Sequence, residues 1–134
     1  MGRKLILDTG VLIAVDRGKA DLDSIRFDDD ALIASITLSE LMVGAELAEG
    51  PRRAARLRMV DFVLENFPVV DFTGDVARAH AKLSAHVRRA GTPRGAHDLI
   101  IAATAVTTGG RLVTTDKAAR FGDLPGVDCI DLQP

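Results

Sequence analysis

The sequence predicts an α/β fold, an α/β/α sandwich whose central sheet is mostly parallel and has four or five strands. Three observations carry this. Short apolar runs of strand length alternate with longer segments of helical periodicity. One segment, residues 98–107, is apolar on almost every side, as a helix buried against a sheet must be. Strands separated by helices need crossover connections, and crossovers join parallel strands.

Leu5-Ile6-Leu7 reads as a buried strand ended by the turn Asp8-Thr9-Gly10. Val11-Leu12-Ile13-Ala14-Val15 begins a short helix that stops near Gly18. Residues 21–27 are weakly helical and run into the acidic turn Asp28-Asp29-Asp30. Ala31-Leu32-Ile33-Ala34-Ser35 is a second buried strand. Residues 37–49 form a helix with an apolar stripe of Leu38, Leu41, Met42, Ala45 and Ala48, and Gly50-Pro51 breaks it. Residues 52–66 form another, with Ala55, Met59, Phe62 and Val63 on one side. Met42, Met59 and Phe62 are assigned to core or interface. Pro68-Val69-Val70-Asp71-Phe72 is a third strand, and Thr73 caps a helix that runs to about residue 90. Residues 91–95 are a loop, and Gly109-Gly110 stops the buried helix. Arg111-Leu112-Val113-Thr114 is a fourth strand, and residues 127–131 form a fifth at an edge.

The length of 134 residues suits a single domain spanning 1–134. With 47% apolar and 27% charged residues, the chain has too much core material for a disordered protein. Lys and Arg total 17 against 19 Asp and Glu, which excludes a strongly basic nucleic-acid coat and leaves only local basic patches. Cys129 is the only cysteine, so neither a disulfide framework nor a cysteine-rich zinc site is available. The absence of Trp and Tyr limits any stacking on bases. No apolar run approaches the roughly 20 residues of a membrane span. The start is interrupted by Asp8 and Asp16-Arg17 too early for a signal peptide, so a cytoplasmic location is expected.

Four acids fall at equivalent places in this scheme. Asp8 ends the first strand, Glu40 lies in the first turn of the helix after the second, Asp98 opens the buried helix, and Asp116 follows the fourth strand. Ligands of open parallel sheets bind outside the carboxyl ends of the strands, where all four converge. Oxygen-only donors suit Mg²⁺ or Mn²⁺ and argue against zinc. Each acid also has a plain structural reading. Asp8 forms a turn with Gly10, Glu40 completes a capping box Thr37-Leu38-Ser39-Glu40, Asp98 complements a helix dipole, and Asp116 is a loop acid. Taken singly, these readings leave the shared edge unexplained.

Four blocks carry a resemblance. They are Leu5-Ile6-Leu7-Asp8-Thr9-Gly10-Val11-Leu12-Ile13-Ala14, Thr37-Leu38-Ser39-Glu40-Leu41 with Gly44, His97-Asp98-Leu99-Ile100-Ile101-Ala102-Ala103-Thr104-Ala105, and Leu112-Val113-Thr114-Thr115-Asp116 with Phe121. In this order, and over nearly the whole chain, the sequence resembles the PIN-domain ribonucleases, specifically VapC-type toxins of bacterial toxin–antitoxin pairs. Gly10 stands where such proteins often carry Asn. The resemblance implies divalent-metal-dependent cleavage of RNA, inhibition of translation and growth, a homodimer, and a cognate VapB-type antitoxin that blocks the site. It assigns Asp8, Glu40 and Asp98 as ligands of Mg²⁺ or Mn²⁺, direct or through water, and Asp116 to a second ion or to positioning water. Thr9 and Thr114 are candidates to orient those ligands, with a strand-end hydrogen bond the simpler reading of Thr114.

His97 reads as a loop-closing residue rather than a base. Arg52, Arg53, Arg56 and Arg58 read first as a solvated helix face with a Glu49–Arg53 pair, and second as a phosphate grip. Arg88, Arg89 and Arg94 border the acidic edge and are the better candidates for contact with RNA. Competing readings fit less well. A receiver-like phosphoacceptor domain needs adjacent acids after its first strand, where Asp8 stands alone. An aspartic protease, suggested by Asp8-Thr9-Gly10, needs an all-β chain. An inactive PIN-like binding module would not need all four acids. A PIN-like nuclease acting on structured DNA is the remaining alternative.

Overall fold

Alternate residues of the central strands face two separate cores, and this alternation builds the sandwich. The computed structural model describes residues 2–18 and 29–132. Its elements are β1 (Lys4–Leu7), α1 (Thr9–Asp16), β2 (Asp30–Ala34), α2 (Ser35–Leu47), α3 (Gly50–Asn66), β3 (Val69–Val70), α4 (Gly74–Ala90), α5 (Ala96–Thr108), β4 (Arg111–Thr114), a short 3₁₀ turn at Phe121–Asp123, and β5 (Asp128–Asp131). The weakly helical residues 21–27 and Asp28 lie outside the described residues. Of the acidic turn, Asp29 pairs with Arg3 at 2.7 Å, while Asp30 already belongs to β2.

The strands lie in the order β3-β2-β1-β4-β5, and every pair is parallel. Leu5 and Leu7 of β1, Ile33 of β2 and Val113 of β4 join Val11, Leu12, Leu41, Val60 and Val63 from α1, α2 and α3. Ile6, Ala34 and Leu112 face the other way, against Val76, Leu83 and Val87 of α4 and Leu99, Ile101, Ala102 and Ala105 of α5. Helices thus cover both faces, which is why these strands read as continuous apolar runs. As its apolar sequence predicts, α5 is buried from Ile101 to Ala105, and Thr104 satisfies its own hydroxyl on the carbonyl of Ile100 at 2.8 Å.

The strand order places a topological switch at the centre. From β1 the chain crosses to β2 on one side, while β4 pairs on the other. The backbone amide of Asp8 donates to the carbonyl of Val113 at 3.0 Å, extending the β1–β4 ladder to this switch.

Several local expectations are corrected. Helix α2 begins at Ser35 behind Ala34, so no capping box forms at Thr37, and Glu40 sits in the second turn. Thr37 is fully buried, and its hydroxyl has no partner among the described residues. Met42 is 41% exposed, which removes only the core half of its core-or-interface assignment, because the buried stripe of α2 is Thr37, Leu41 and Ala45. In α3 the buried residues are Val60 and Val63, whereas Ala55 is exposed and Met59 and Phe62 are half-buried. Strand β3 is only Val69–Val70, since it pairs with β2 alone and the chain is exposed again at Asp71 and Phe72. Thr73 does cap α4, accepting from the amide of Val76 at 3.3 Å.

Candidate active site

Asp8 leaves β1 at the switch and caps α1, so its carboxylate is held at the sheet edge while only 9% of the residue is exposed. Its Oδ1 accepts from the amide of Thr9 at 2.7 Å, and its Oδ2 accepts from the hydroxyl of Thr114 at 3.0 Å. Burial pushes its pKa up. The two hydrogen bonds oppose this, while the charges of Glu40 and Asp116 add to it.

Thr114 ends β4 and is fully buried. While its hydroxyl donates to Asp8, its oxygen accepts from the amide of Asp116 at 2.9 Å. The simpler strand-end reading of Thr114 is therefore half of the truth, because the same group also orients Asp8. The sequence signal was Thr114-Thr115-Asp116, a hydroxyl two residues before an acid at a strand end, a spacing that favours a side chain-to-backbone bond.

Glu40 reaches the edge from α2. One oxygen accepts from the Thr9 hydroxyl at 3.3 Å, and the other lies 3.5 Å from Nδ1 of exposed His97. His97 lies in the first turn of α5 with its ring beside Glu40. Asp98 occupies the first turn of α5. Its pKa is pushed up by partial burial first, then by the charges of Asp8, Asp116 and Glu40, with His97 opposing. Asp116 is turned partly into its own loop, because Oδ1 accepts from the amides of Ala118 and Ala119 at 3.0 and 3.3 Å. This is the loop-acid reading of Asp116, whose charge is nonetheless felt by Asp8 and Asp98.

The four carboxylates therefore share one electrostatic field. Among the described residues no Lys or Arg stands within ion-pair distance of any of them. Nor, among those residues, do three acid, His or Cys side chains stand close enough to share one ion. Thr9, Thr114 and the 116–120 turn each hydrogen-bond carboxylate oxygens, and each such oxygen keeps a further lone pair. The donor set is all oxygen and suits a hard divalent cation.

The neighbouring arginines divide. The Arg94 guanidinium donates through Nη1 to the carbonyls of Ala119 and Arg120 at 2.7 and 2.8 Å, tying the loop before α5 to the turn after Asp116. Arg120 holds the left-handed conformation that this turn requires, with φ of 47°. No sequence signal marks a contact between residues 25 positions apart. Arg53 pairs with Glu46 at 3.7 Å rather than with Glu49. Gly10 has a steric reason, since a Cβ there would stand 2.8 Å from the Thr115 hydroxyl. Among the described residues, no helix is long and apolar enough to cross a membrane.

A PIN-domain family model matches residues 5–125. The chain is 34% identical to a ribonuclease VapC of Rickettsia bellii, over 77% of this chain and 78% of that protein. It is 32% identical to the tRNA(fMet)-specific endonuclease VapC of Salmonella typhimurium, over 92% and 94% of the two chains. The fold superposes with a TM-score of 0.82 on VapBC-5 of Mycobacterium tuberculosis, a member of the VapBC family of toxin–antitoxin systems. There the identity is 29%, and 96% of this chain and 98% of that one are covered. With the acids of all four blocks at one sheet edge, the chain belongs to the PIN-domain family, in its VapC branch.

Proposed function

We propose that this chain is an endoribonuclease toxin, spanning residues 1–134 as one domain, that hydrolyses phosphodiester bonds of RNA, inhibits translation and growth, and is neutralised by a cognate VapB-type antitoxin. The observation that carries the reading is Asp8: a carboxylate 9% exposed, repelled by Glu40 and Asp116, with no Lys or Arg in ion-pair reach among the described residues. Such a charge is costly to bury unless a cation or a proton compensates it. A divalent cation, Mg²⁺ or Mn²⁺, would be held by Asp8, Glu40 and Asp98, with Asp116 supporting through its free oxygen. When bound, it supplies a more acidic water and charge stabilisation at the phosphate.

The chain's own residues do the rest. Thr114 and the Thr9 amide fix the direction of both Asp8 oxygens, and the Thr9 hydroxyl and His97 fix Glu40. This pre-organisation spares reorganisation when the reaction begins. Partly buried Asp98, its pKa raised by burial and by the charges of Asp8, Asp116 and Glu40, adds to the anionic field that a bound cation would relieve. His97, exposed and engaged with Glu40, positions that acid and is not assigned as the base.

The antitoxin is proposed to cover the acidic edge with a cationic side chain, Arg being the best match for paired carboxylates. Met42, Val43 and Leu47, exposed along α2, offer an apolar face for the homodimer that the family resemblance implies. The test is cleavage of cellular RNA by the purified protein. EDTA should abolish it, Mg²⁺ or Mn²⁺ should restore it, and Asp8→Asn should remove it while the protein stays folded. Full activity in EDTA, or in the Asp8 variant, would overturn the reading.

A further inference from the structure

Arg94 and Gly95 are consecutive residues, and each touches a segment that carries one of the site's acids. Gly95 immediately precedes α5, and a Cβ there would stand 3.1 Å from Oδ2 of Asp98, so the Asp98 carboxylate rests against the backbone of this loop. Arg94 turns its side chain to the other segment, the turn that follows Asp116. A single nitrogen, Nη1, donates both of its bonds there, to the carbonyls of Ala119 and Arg120. Those carbonyls flank Arg120, so one donor fixes the peptide planes on either side of that residue.

Arg120 is the residue that needs fixing. Among the described residues it is the only one other than glycine with a positive φ, at 47° with ψ of 49°. A Cβ makes this conformation unfavourable, and it persists only where the surroundings hold it. Ala119 carries the effect onward: its carbonyl accepts from Arg94, while its amide donates to Oδ1 of Asp116 at 3.3 Å. The amide of Ala118 donates to the same oxygen at 3.0 Å. The direction of the Asp116 carboxylate is therefore set by amides of a turn that Arg94 closes from outside. The Nε of Arg94 is buried and has no partner among the described residues, so the guanidinium forgoes one hydrogen bond in the seat where Nη1 makes two.

We propose that Arg94 is a positioning residue of the active site, a clamp that sets the Asp116 carboxylate relative to Asp98 by joining the loop beside Asp98 to the turn that holds Asp116. This rests on the ribonuclease reading above and adds what keeps two of its acids in place. Arg94 acts through the turn and touches neither the cation nor the RNA. A contact that only stabilised the fold would act without reference to Asp116, whereas the clamp works through that one carboxylate.

The test is Mn²⁺ binding, read by electron paramagnetic resonance, for Arg94→Met and Asp116→Asn alone and together, with kcat and KM for RNA cleavage. Arg94→Met keeps an apolar stem and removes the donors. Removing the direct partner of a metal-ligating group costs about 10–100-fold, and Arg94 stands one link further out, so Mn²⁺ affinity and kcat should each fall about tenfold while KM stays unchanged. In the Asp116→Asn protein the same change should lower Mn²⁺ affinity by less than about twofold, because the carboxylate that Arg94 positions is gone. Arg120→Gly, which adopts a positive φ without a clamp, should return at least about half of the logarithmic loss in the Arg94→Met protein, and it keeps the test decisive where Arg94→Met alone folds poorly. Parental Mn²⁺ affinity and kcat in Arg94→Met would overturn the proposal and leave the ribonuclease reading standing. Equal losses with and without the Asp116 carboxylate would make Arg94 a fold-stabilising contact only, and a raised KM at parental kcat would make it an RNA contact; either overturns the proposal. A parent protein that neither binds Mn²⁺ nor cleaves RNA would overturn both.

Discussion

Replacing Thr114 by Val keeps the volume of a fully buried side chain and removes one hydroxyl. That hydroxyl makes two bonds: it donates to Asp8 at 3.0 Å and accepts from the amide of Asp116 at 2.9 Å. A hydrogen bond to a buried charge contributes about 1.5–3 kcal/mol, and an amide left unpaired adds about 1 kcal/mol or more if water does not reach it. The expected loss at neutral pH is about 2–4 kcal/mol, or roughly 10 °C in melting temperature for a domain of this size. Thr114→Ser restores the hydroxyl and should recover most of it. The sign of the pH dependence is set by Asp8, whose folded pKa lies above its ordinary 3.8. Above that raised pKa, Asp8 is ionised and needs the donor. As pH falls through it, Asp8 takes a proton, the charged part of the bond is lost, and the gap between wild type and Val should narrow. RNA cleavage should fall about 10–100-fold, since the outer partner of a ligating carboxylate is missing. Thermal melts across pH, with cleavage rates for Thr, Ser and Val, read all of this. Equal stability and activity of Val and Thr would refute the claim that Thr114 organises the site.

Three further outcomes follow from the same geometry. Gly10→Ala places a methyl group 2.8 Å from the Thr115 hydroxyl, which must turn aside, so its effect on stability should couple to Thr115→Ala by about 0.5 kcal/mol or more; a double-mutant cycle without coupling would reject the contact. Arg94→Met loses two bonds to carbonyls and should lower stability to urea by about 1–2 kcal/mol; an unchanged midpoint would show that Arg94 does not hold the turn after Asp116. Asp98→Asn removes a repelled charge, so it should raise the melting temperature in EDTA and shrink the gain from Mg²⁺, a gain of about 2.7 kcal/mol at a hundredfold excess over the dissociation constant. Equal melts in EDTA and equal Mg²⁺ shifts would make Asp98 a helix-end acid only.

The elements legible in the sequence were those whose signal is local. Leu5-Ile6-Leu7, the all-round apolar α5 and the Gly109 stop each announce themselves within a few residues, and the structure has them where expected. The start of α2 is hidden in the sequence because Thr37 and Glu40 have capping-box spacing, yet Ser35 and Ile36 extend the helix backwards and bury Thr37. Strand β3 is shorter than its sequence pattern, because Asp71 and Phe72 continue a β-like run but lie beyond the pairing with β2. At the site, the four acids were legible from their places after strands and at helix starts. Their supports were not, because Thr9–Glu40, Thr114–Asp8 and Arg94–Ala119 join residues 31, 106 and 25 positions apart. Arg94 borders the acidic edge in sequence, yet the structure shows it bonding the carbonyls of the turn after Asp116.

The central claim is that the carboxylates at this edge together hold a divalent cation through Asp8. It is tested most directly by Mn²⁺ titration of the purified protein followed by electron paramagnetic resonance, comparing wild type with Asp8→Asn. The account predicts stoichiometric binding by wild type and a loss of at least about tenfold in affinity in the variant, which should remain folded because the amide keeps the volume of the carboxylate. Equal Mn²⁺ affinity in the two proteins would contradict it.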